Sequence, residues 1–422
     1  MSAQLSPKHL ARAFRSRNYR LFYGGQLLSL VGTWMSQIAT SWLIYRLTSS
    51  AFLLGAVGFA AQFPSAVLAP WAGVQVDRMN RHRVLIVTQT AAMIQSFTLA
   101  ALTLSGWITT GELLLLCAVQ GAINAFDIPA RQAFLSEMIV DRADLPNAIA
   151  LNAAMFNGAR LVGPAIGGLL ISLTSEGTCF LIDGFSYVAV IYALYLMDVP
   201  ARSIPPRTTN AWQDLVGGVR YVLASTAVRS LLMLVAATSL LGTAYIVLLP
   251  VYAKEIFAGG PEALGALMAA SGCGALLGAI TLAMRGSIIG LGRIIGSCGM
   301  ALGVSIALFA YSTSFHLSLF LLFVAGFSMI TLMAASNTII QTLVDDNYRG
   351  RVMSFYAMAF TGMAPIGSLV GGSLAHRLGA QPAVCAGGIC CVLAAAYFFR
   401  RLPDIRSDAR PILVARGILS PE

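Results

Sequence analysis

Residues 315–343 read Phe-His-Leu-Ser-Leu-Phe-Leu-Leu-Phe-Val-Ala-Gly-Phe-Ser-Met-Ile-Thr-Leu-Met-Ala-Ala-Ser-Asn-Thr-Ile-Ile-Gln-Thr-Leu, without one Asp, Glu, Lys or Arg. About 20 apolar residues in a helix cross the hydrocarbon core of a bilayer. This stretch is long enough to do so with some tilt. Apolar runs of the same kind recur along the chain, separated by short polar breaks. They cover residues 20–46, 52–76, 84–107, 112–138, 145–173 and 177–198. After a polar interval come 229–254, 261–284, 289–312, 315–343, 350–377 and 380–400. The expected fold is therefore an all-α integral membrane protein of about twelve transmembrane helices.

Composition leads to the same class. Of 422 residues, 57% are hydrophobic and 10% charged. Soluble domains carry about 25% charged residues, because water must wet their surface. A bilayer removes that requirement. The formal net charge of +10 sits in short runs between apolar stretches, without the aromatic interleaving of a nucleic-acid surface. A nucleic-acid partner is therefore not expected. The first apolar run is too long for a signal-peptide core and has no small-residue cleavage site, so the first span is expected to remain in the protein. The seven cysteines are scattered through apolar runs without metal-ligand spacing. No metal and no cofactor are expected, and no nucleophile–base constellation suggests an enzyme.

Charge also orients the spans. With the N-terminus inside, 22 of the 27 Lys and Arg fall in inner segments. Arg46, Lys254 and Arg377 fall outside, and Arg131 and Arg160 lie within spans. The positive-inside rule then puts both termini in the cytoplasm. A bacterial inner (plasma) membrane location is the expectation.

The chain is also duplicated. Gly32-Thr33 and Leu54-Gly55-Ala56 recur as Gly242-Thr243 and Leu264-Gly265-Ala266, an offset of 210 residues. Val140-Asp141, Gly158, Gly163 and Gly167-Gly168 recur as Val344-Asp345, Gly362, Gly367 and Gly371-Gly372, an offset of 204. Two blocks of constant internal spacing point to two six-helix bundles with pseudo-two-fold symmetry. The expected domains are an N-terminal bundle, 1–199, and a C-terminal bundle, 229–402. Between them lies a cytoplasmic linker, 200–228, with an amphipathic stretch over 212–223. A polar, basic cytoplasmic tail, 403–422, suits a surface or lipid-headgroup role.

The two offsets differ by six residues, so the first half is longer between spans two and four, and the extra residues lie where spans two and three join. The loop is Gly73-Val-Gln-Val-Asp77-Arg78-Met-Asn80-Arg81-His82-Arg83. It resembles the signature loop of the major facilitator superfamily, Gly-x-x-x-Asp-Arg-x-Gly-Arg-Arg. Asn80 stands where that pattern has glycine, and asparagine tolerates left-handed geometry. Asp77 can face the positive end of a helix, and Arg78, Arg81 and Arg83 can bridge to acids such as Glu137 or to lipid phosphates. Such a cluster acts as a conformational lock; the alternative is an ordinary positive-inside loop. The second half keeps only Arg285 and Arg293 at this place.

Span five contains Gly158, then Gly163-Pro164-x-x-Gly167-Gly168. This is similar to the core of the superfamily's antiporter motif in drug/proton exporters; close helix packing is the alternative role. Arg17-Asn18-Tyr19-Arg20, Gly32-Thr33-Trp34, Leu47-Thr48-Ser49-Ser50, Asp127-x-Pro129-x-Arg131-Gln132 and Leu145-Pro146-Asn147-Ala148 resemble the exporter branch that includes the enterobactin exporters. The resemblance implies proton-driven export of a small molecule from the bacterial cytoplasm. It does not supply the substrate.

Ionisable side chains at membrane depth cost about 2.5–3.5 kcal/mol each on insertion scales, so they are functional candidates. Gln120, Asn124, Asp127 and Arg131 share one face of span four. Asp127 lies about 17 Å from the inner end of its span and Arg160 about 22 Å, so the two could meet near mid-bilayer. Asp127, Arg131 and Arg160 together leave one positive charge. An anionic substrate could use it, or protonation of Asp127 could release an arginine; a permanent structural ion pair is the alternative. Asp183, near the outer end of span six, reads as an entrance charge. Trp34 and Gln37 in span one and Tyr245 in span seven are candidate cavity residues, because spans one, four, seven and ten line the cavity in the resembled family.

These readings combine into an exporter working by alternating access as a monomer, with a small-molecule substrate, protons and membrane lipids as partners. Two rivals remain. One is an uncoupled facilitator or importer on the same fold. The other is a non-transporting membrane sensor or assembly factor.

Overall fold

A computed structural model describes residues 12–139, 141–198, 211–285 and 287–416. The linker positions 199–210, the first eleven residues and the last six lie outside the described residues. Among those described there are no strands, and twelve helices are long and apolar enough to cross a membrane. They are α1 (Arg17–Thr48), α2 (Ala51–Arg78), α3 (Arg81–Leu104), α4 (Thr110–Met138), α5 (Leu145–Leu173) and α6 (Glu176–Tyr195). Then come α7 (Thr226–Ile256), α8 (Pro261–Ala283), α9 (Leu291–Tyr311), α10 (Phe315–Leu343), α11 (Tyr348–Leu378) and α12 (Ala380–Ala415). The protein is a multi-pass membrane protein. Most span ends fall within a few residues of the sequence expectation; the last span runs much further.

The ends of the helices follow local chemistry. Thr109 and Glu112 form a capping box at the start of α4, with Thr109 N donating to Glu112 at 2.8 Å. Asn80 departs from expectation. Its φ of −69° is not left-handed; it caps α3 and accepts from Arg83 N at 3.2 Å. A capping side chain, rather than backbone freedom, is what the position requires.

Proline breaks the spans of the second half more than the first. Helix α5 runs through Pro164 without interruption. Helix α7 breaks at Thr243 and widens to a π turn at Tyr252–Ile256, just after Pro250. Helix α11 carries a π turn at Met358–Gly362, just before Pro365. In a π turn the Phe360 carbonyl looks to the amide five residues on, and proline has none. Ser239 Oγ of α7 donates to that carbonyl instead, at 2.8 Å. The serine hydroxyl thus satisfies the carbonyl that the proline leaves without a donor.

The helices sort into two compact units. One holds α1, α3–α6, α2 from Ala60 and α8 as far as Ala269. Its core gathers Tyr19, Phe22, Val84, Leu85, Phe134, Met138 and Leu194. Ser16 Oγ donates to the Met138 carbonyl there, and Tyr19 OH donates to the Ala148 carbonyl at 3.1 Å. Gly121 lies against Ala61, whose carbonyl would be 2.7 Å from a Cβ at 121.

The second unit holds the first residues of α2, the linker helix Ala211–Ala224, α7, the rest of α8 and α9–α12. Gly326 lies against Ser271 in the same manner as Gly121 against Ala61. Ala61 and Ser271 are separated by the first repeat offset, so the duplication survives as a repeated helix crossing. The unit boundaries exchange the first turns of α2 and α8 relative to a simple division into six plus six. Small residues allow those exchanged contacts. Gly55 lies on Gly372 in the second unit, and Gly265 lies on Gly168 in the first.

The tail expectation needs correction. Helix α12 continues to Ala415, through residues 403–415. Asp408 accepts from Ala227 N at 3.1 Å at the start of α7, and Arg416 donates to the Val344 carbonyl at 3.0 Å at the end of α10. An acid at a helix N-terminus and a base at a C-terminus both suit the helix dipole, so this polar segment packs on the bundle.

Candidate functional site

Within the first unit, the polar face of α4 is held by contacts along the helix and by side chains of α3. Asp127 is 2% exposed. Arg131, one turn on, pairs with its Oδ2. Its Oδ1 accepts from Thr88 Oγ1 at 3.0 Å and from Gln89 Nε2 at 2.7 Å. Thr88 and Gln89 come from α3 and played no part in the sequence reading. Their signal was a polar dipeptide inside an apolar span, which does not reveal where it points. Further along the face, Gln120 Nε2 donates to Asn124 Oδ1 at 3.2 Å, leaving Gln120 Oε1 buried without a partner.

Arg160 of α5 is held over the Trp34 ring of α1, 5.6 Å from its centroid. Phe156 meets the same ring edge-on at 5.8 Å. The ion pair shown for Asp127 is thus made with Arg131, while Arg160 takes an aromatic face. Gln37 is exposed on α1, one turn from Trp34. Tyr245 is buried in the second unit, 3.2 Å from Ser271 Oγ, so its ring is part of the packing.

Asp183 is not an entrance charge. It is 4% exposed inside the first unit, between α1 and α3. Ser36 Oγ donates to Oδ2 at 2.9 Å, and Ser96 Oγ lies 3.1 Å from the same oxygen. Arg46 of α1 donates from Nε to the buried Glu176 at the start of α6, at 2.7 Å.

The glycine motif of α5 divides by face. A Cβ on Gly163 would stand 2.5 Å from Trp34 Cβ, and one on Gly167 would stand 2.7 Å from Ile38. Both bring α5 against α1. Gly168 faces α8 instead, where a Cβ would be 2.5 Å from the Pro261 carbonyl. Gly158 has open space and is not a packing glycine. Pro164 is buried within the helix.

In the α2–α3 loop, Arg81 joins two acids. It donates to Glu137 at 2.7 Å and to Asp77 at 3.1 Å. Arg78 and Arg83 are exposed, and Gly73 has no neighbour that a Cβ would meet. The expected link to α4 is therefore made by Arg81. Among the described residues no cluster of His, Cys, Asp and Glu could hold a metal.

The sequence model of the transmembrane secretion effector family matches residues 9–415. The staphyloferrin A transporter of Staphylococcus aureus is 24% identical over 385 residues, covering 90% of this chain and 96% of that protein. The multidrug efflux pump Tap of Mycobacterium tuberculosis is 27% identical over 407 residues, covering 92% and 95%. Among solved structures, a bacterial homologue of the human lysosomal transporter Spinster, inward-facing and unoccupied, superposes with a TM-score of 0.72 at 15% identity, covering 94% of this chain and 99% of that one. The nucleoside transporter NupG superposes at 0.70 and 16%, covering 91% and 99%. These likenesses run the length of the chain and are with transporters, not enzymes. This chain therefore belongs to the transmembrane secretion effector family and is a transporter of the major facilitator superfamily.

Proposed function

We propose that this transporter exports a small, siderophore-like or drug-like molecule from the bacterial cytoplasm by proton antiport. It works by alternating access as a monomer in the inner (plasma) membrane, with both termini cytoplasmic. The observation that carries this reading is the charged stripe of α4. Asp127 and Arg131 form a pair inside a helix that must otherwise be apolar, and charge at that depth is retained for substrates or protons. Arg160 leaves the group with a net positive charge that an anionic substrate would complement. Two relatives, a siderophore transporter and a multidrug efflux pump, support export of this kind.

In the mechanism, Asp127 holds Arg131 while the cavity is loaded. Proton entry neutralises the carboxylate, frees the guanidinium and resets the carrier. The Arg81–Glu137–Asp77 cluster holds one conformation and opens in the other. Lipid phosphates meet the exposed Arg78 and Arg83.

The test is flux in proteoliposomes, with an anionic siderophore and a neutral drug, with and without an imposed pH gradient. Gradient-driven uptake into inverted vesicles is expected. Flux indifferent to the gradient would favour an uncoupled facilitator or importer. No flux from active, folded protein would favour a sensor or assembly role. Arg160→Ala should weaken transport of the anion more than of the neutral drug.

A further inference from the structure

A second acid is buried in the first unit. Asp183 lies on α6, packed between α1 and α3. Among the described residues no cation meets its carboxylate. Both of its hydrogen-bonding neighbours are serine hydroxyls, and both lie on one oxygen: Ser36 Oγ at 2.9 Å and Ser96 Oγ at 3.1 Å from Oδ2. The other oxygen, Oδ1, is buried with no partner.

Ser96 has one proton to give. Its oxygen is 2.9 Å from the Phe180 carbonyl and 3.1 Å from Asp183 Oδ2. A backbone carbonyl only accepts, so the shorter contact takes the serine proton. Ser96 can meet Oδ2 as a donor only by sharing that one proton, whereas a proton on Oδ2 that donates to Ser96 satisfies both contacts in full. Ser36 donates to a remaining lone pair of the same oxygen. An ionised Asp183 would instead have two hydroxyl donors at most, one of them shared, and a bare buried oxygen. A buried charge without a partner is far more costly than a buried neutral acid.

We infer that Asp183 is a proton-binding site, occupied by a proton in this conformation and separate from the Asp127–Arg131 pair. Gly32 makes the space for it: a Cβ there would lie 2.8 Å from Oδ1. The titratable groups about it are few. On α6 itself, Cys179 and Tyr187 lie one turn to either side, and Glu176 is tied to Arg46 of α1. Beyond Tyr187 stands the Asp127–Arg131 pair of α4. Helix α1 presents Ser36 and Gly32, and α3 presents Ser96, none of which titrates. Helix α5 reaches Cys179 through the Gly167 carbonyl.

The assignment of the proton is argued from the serine contacts, the bare Oδ1 and the burial; its use in coupling rests on the antiport reading above. The test is infrared difference spectroscopy of the full chain in lipid nanodiscs, titrated between about pH 5 and pH 9. A carboxylic-acid C=O band should be present at neutral pH. Asp183→Asn should remove it, and Asp127→Asn should leave it. Ser96→Ala should keep the band and shift its frequency, because the acceptor of the acid proton is gone. This second variant serves if Asp183→Asn does not fold. The assignment is overturned if the parent has no such band, if Asp183→Asn retains it, or if Ser96→Ala leaves its frequency unmoved. None of these readouts requires transport, so a failure of antiport and a failure of this assignment are distinguishable.

Discussion

Gly168 of α5 and Gly265 of α8 lie backbone to backbone: a Cβ on Gly168 would come within 3.0 Å of Gly265 Cα, and one on Gly265 within 3.1 Å of Gly168 Cα. The repeat equivalents, Gly372 and Gly55, make the same approach in the second unit. Glycines that revealed the duplication in sequence are thus the ones that let these helices meet. With no hydrophobic drive between helices in lipid, such close packing carries much of their association.

Gly168→Val is therefore expected to destabilise the protein by about 1–3 kcal/mol, the usual cost of overpacking. Thermal unfolding in detergent would register it as a lowered midpoint, with reduced transport. Gly158→Ala is the internal contrast. It meets nothing, and it should be neutral or stabilising by up to about 1 kcal/mol through helix propensity. Equal loss at both positions would contradict the division of the motif by face.

Asp127 and Arg131 should respond unequally to truncation. Arg131→Ala leaves a buried carboxylate supported only by Thr88 and Gln89, at a cost of roughly 2–4 kcal/mol given the partial exposure of Arg131. Asp127→Asn keeps a side chain that the α3 donors can still meet and should unfold later than Arg131→Ala. Its transport should lose pH dependence if Asp127 is the proton carrier. Paired melting curves and pH-resolved flux check both statements.

The Arg81–Glu137 pair is shielded, with side chains 19% and 16% exposed, so its coupling should exceed that of a surface pair. A double-mutant cycle with Arg81→Ala and Glu137→Ala should give a coupling energy of about 1–2 kcal/mol. A value near zero would reduce the loop to a topological signal.

Ser239 and Pro365 should be epistatic. Ser239→Ala leaves the Phe360 carbonyl without its donor and should cost about 1–3 kcal/mol. Pro365→Ala restores the backbone N–H five residues on from that carbonyl. The double variant should therefore be more stable than the sum of the two single effects, as thermal melts would show.

Sequence alone determined the features that are local or periodic. Twelve apolar runs, the duplication and the signature loop follow from composition and spacing, because each depends on residues near one another in the chain. Tertiary structure decided which side chains meet. It paired Asp127 with Arg131, Thr88 and Gln89, placed Arg160 on Trp34, and turned Asp183 from an entrance charge into a buried acid between two serines. It also gave Asp408 and Arg416 of the expected tail their places as partners of helix ends. Those contacts join residues far apart in sequence, and a helical pattern gives the face of each residue without naming the helix that covers it.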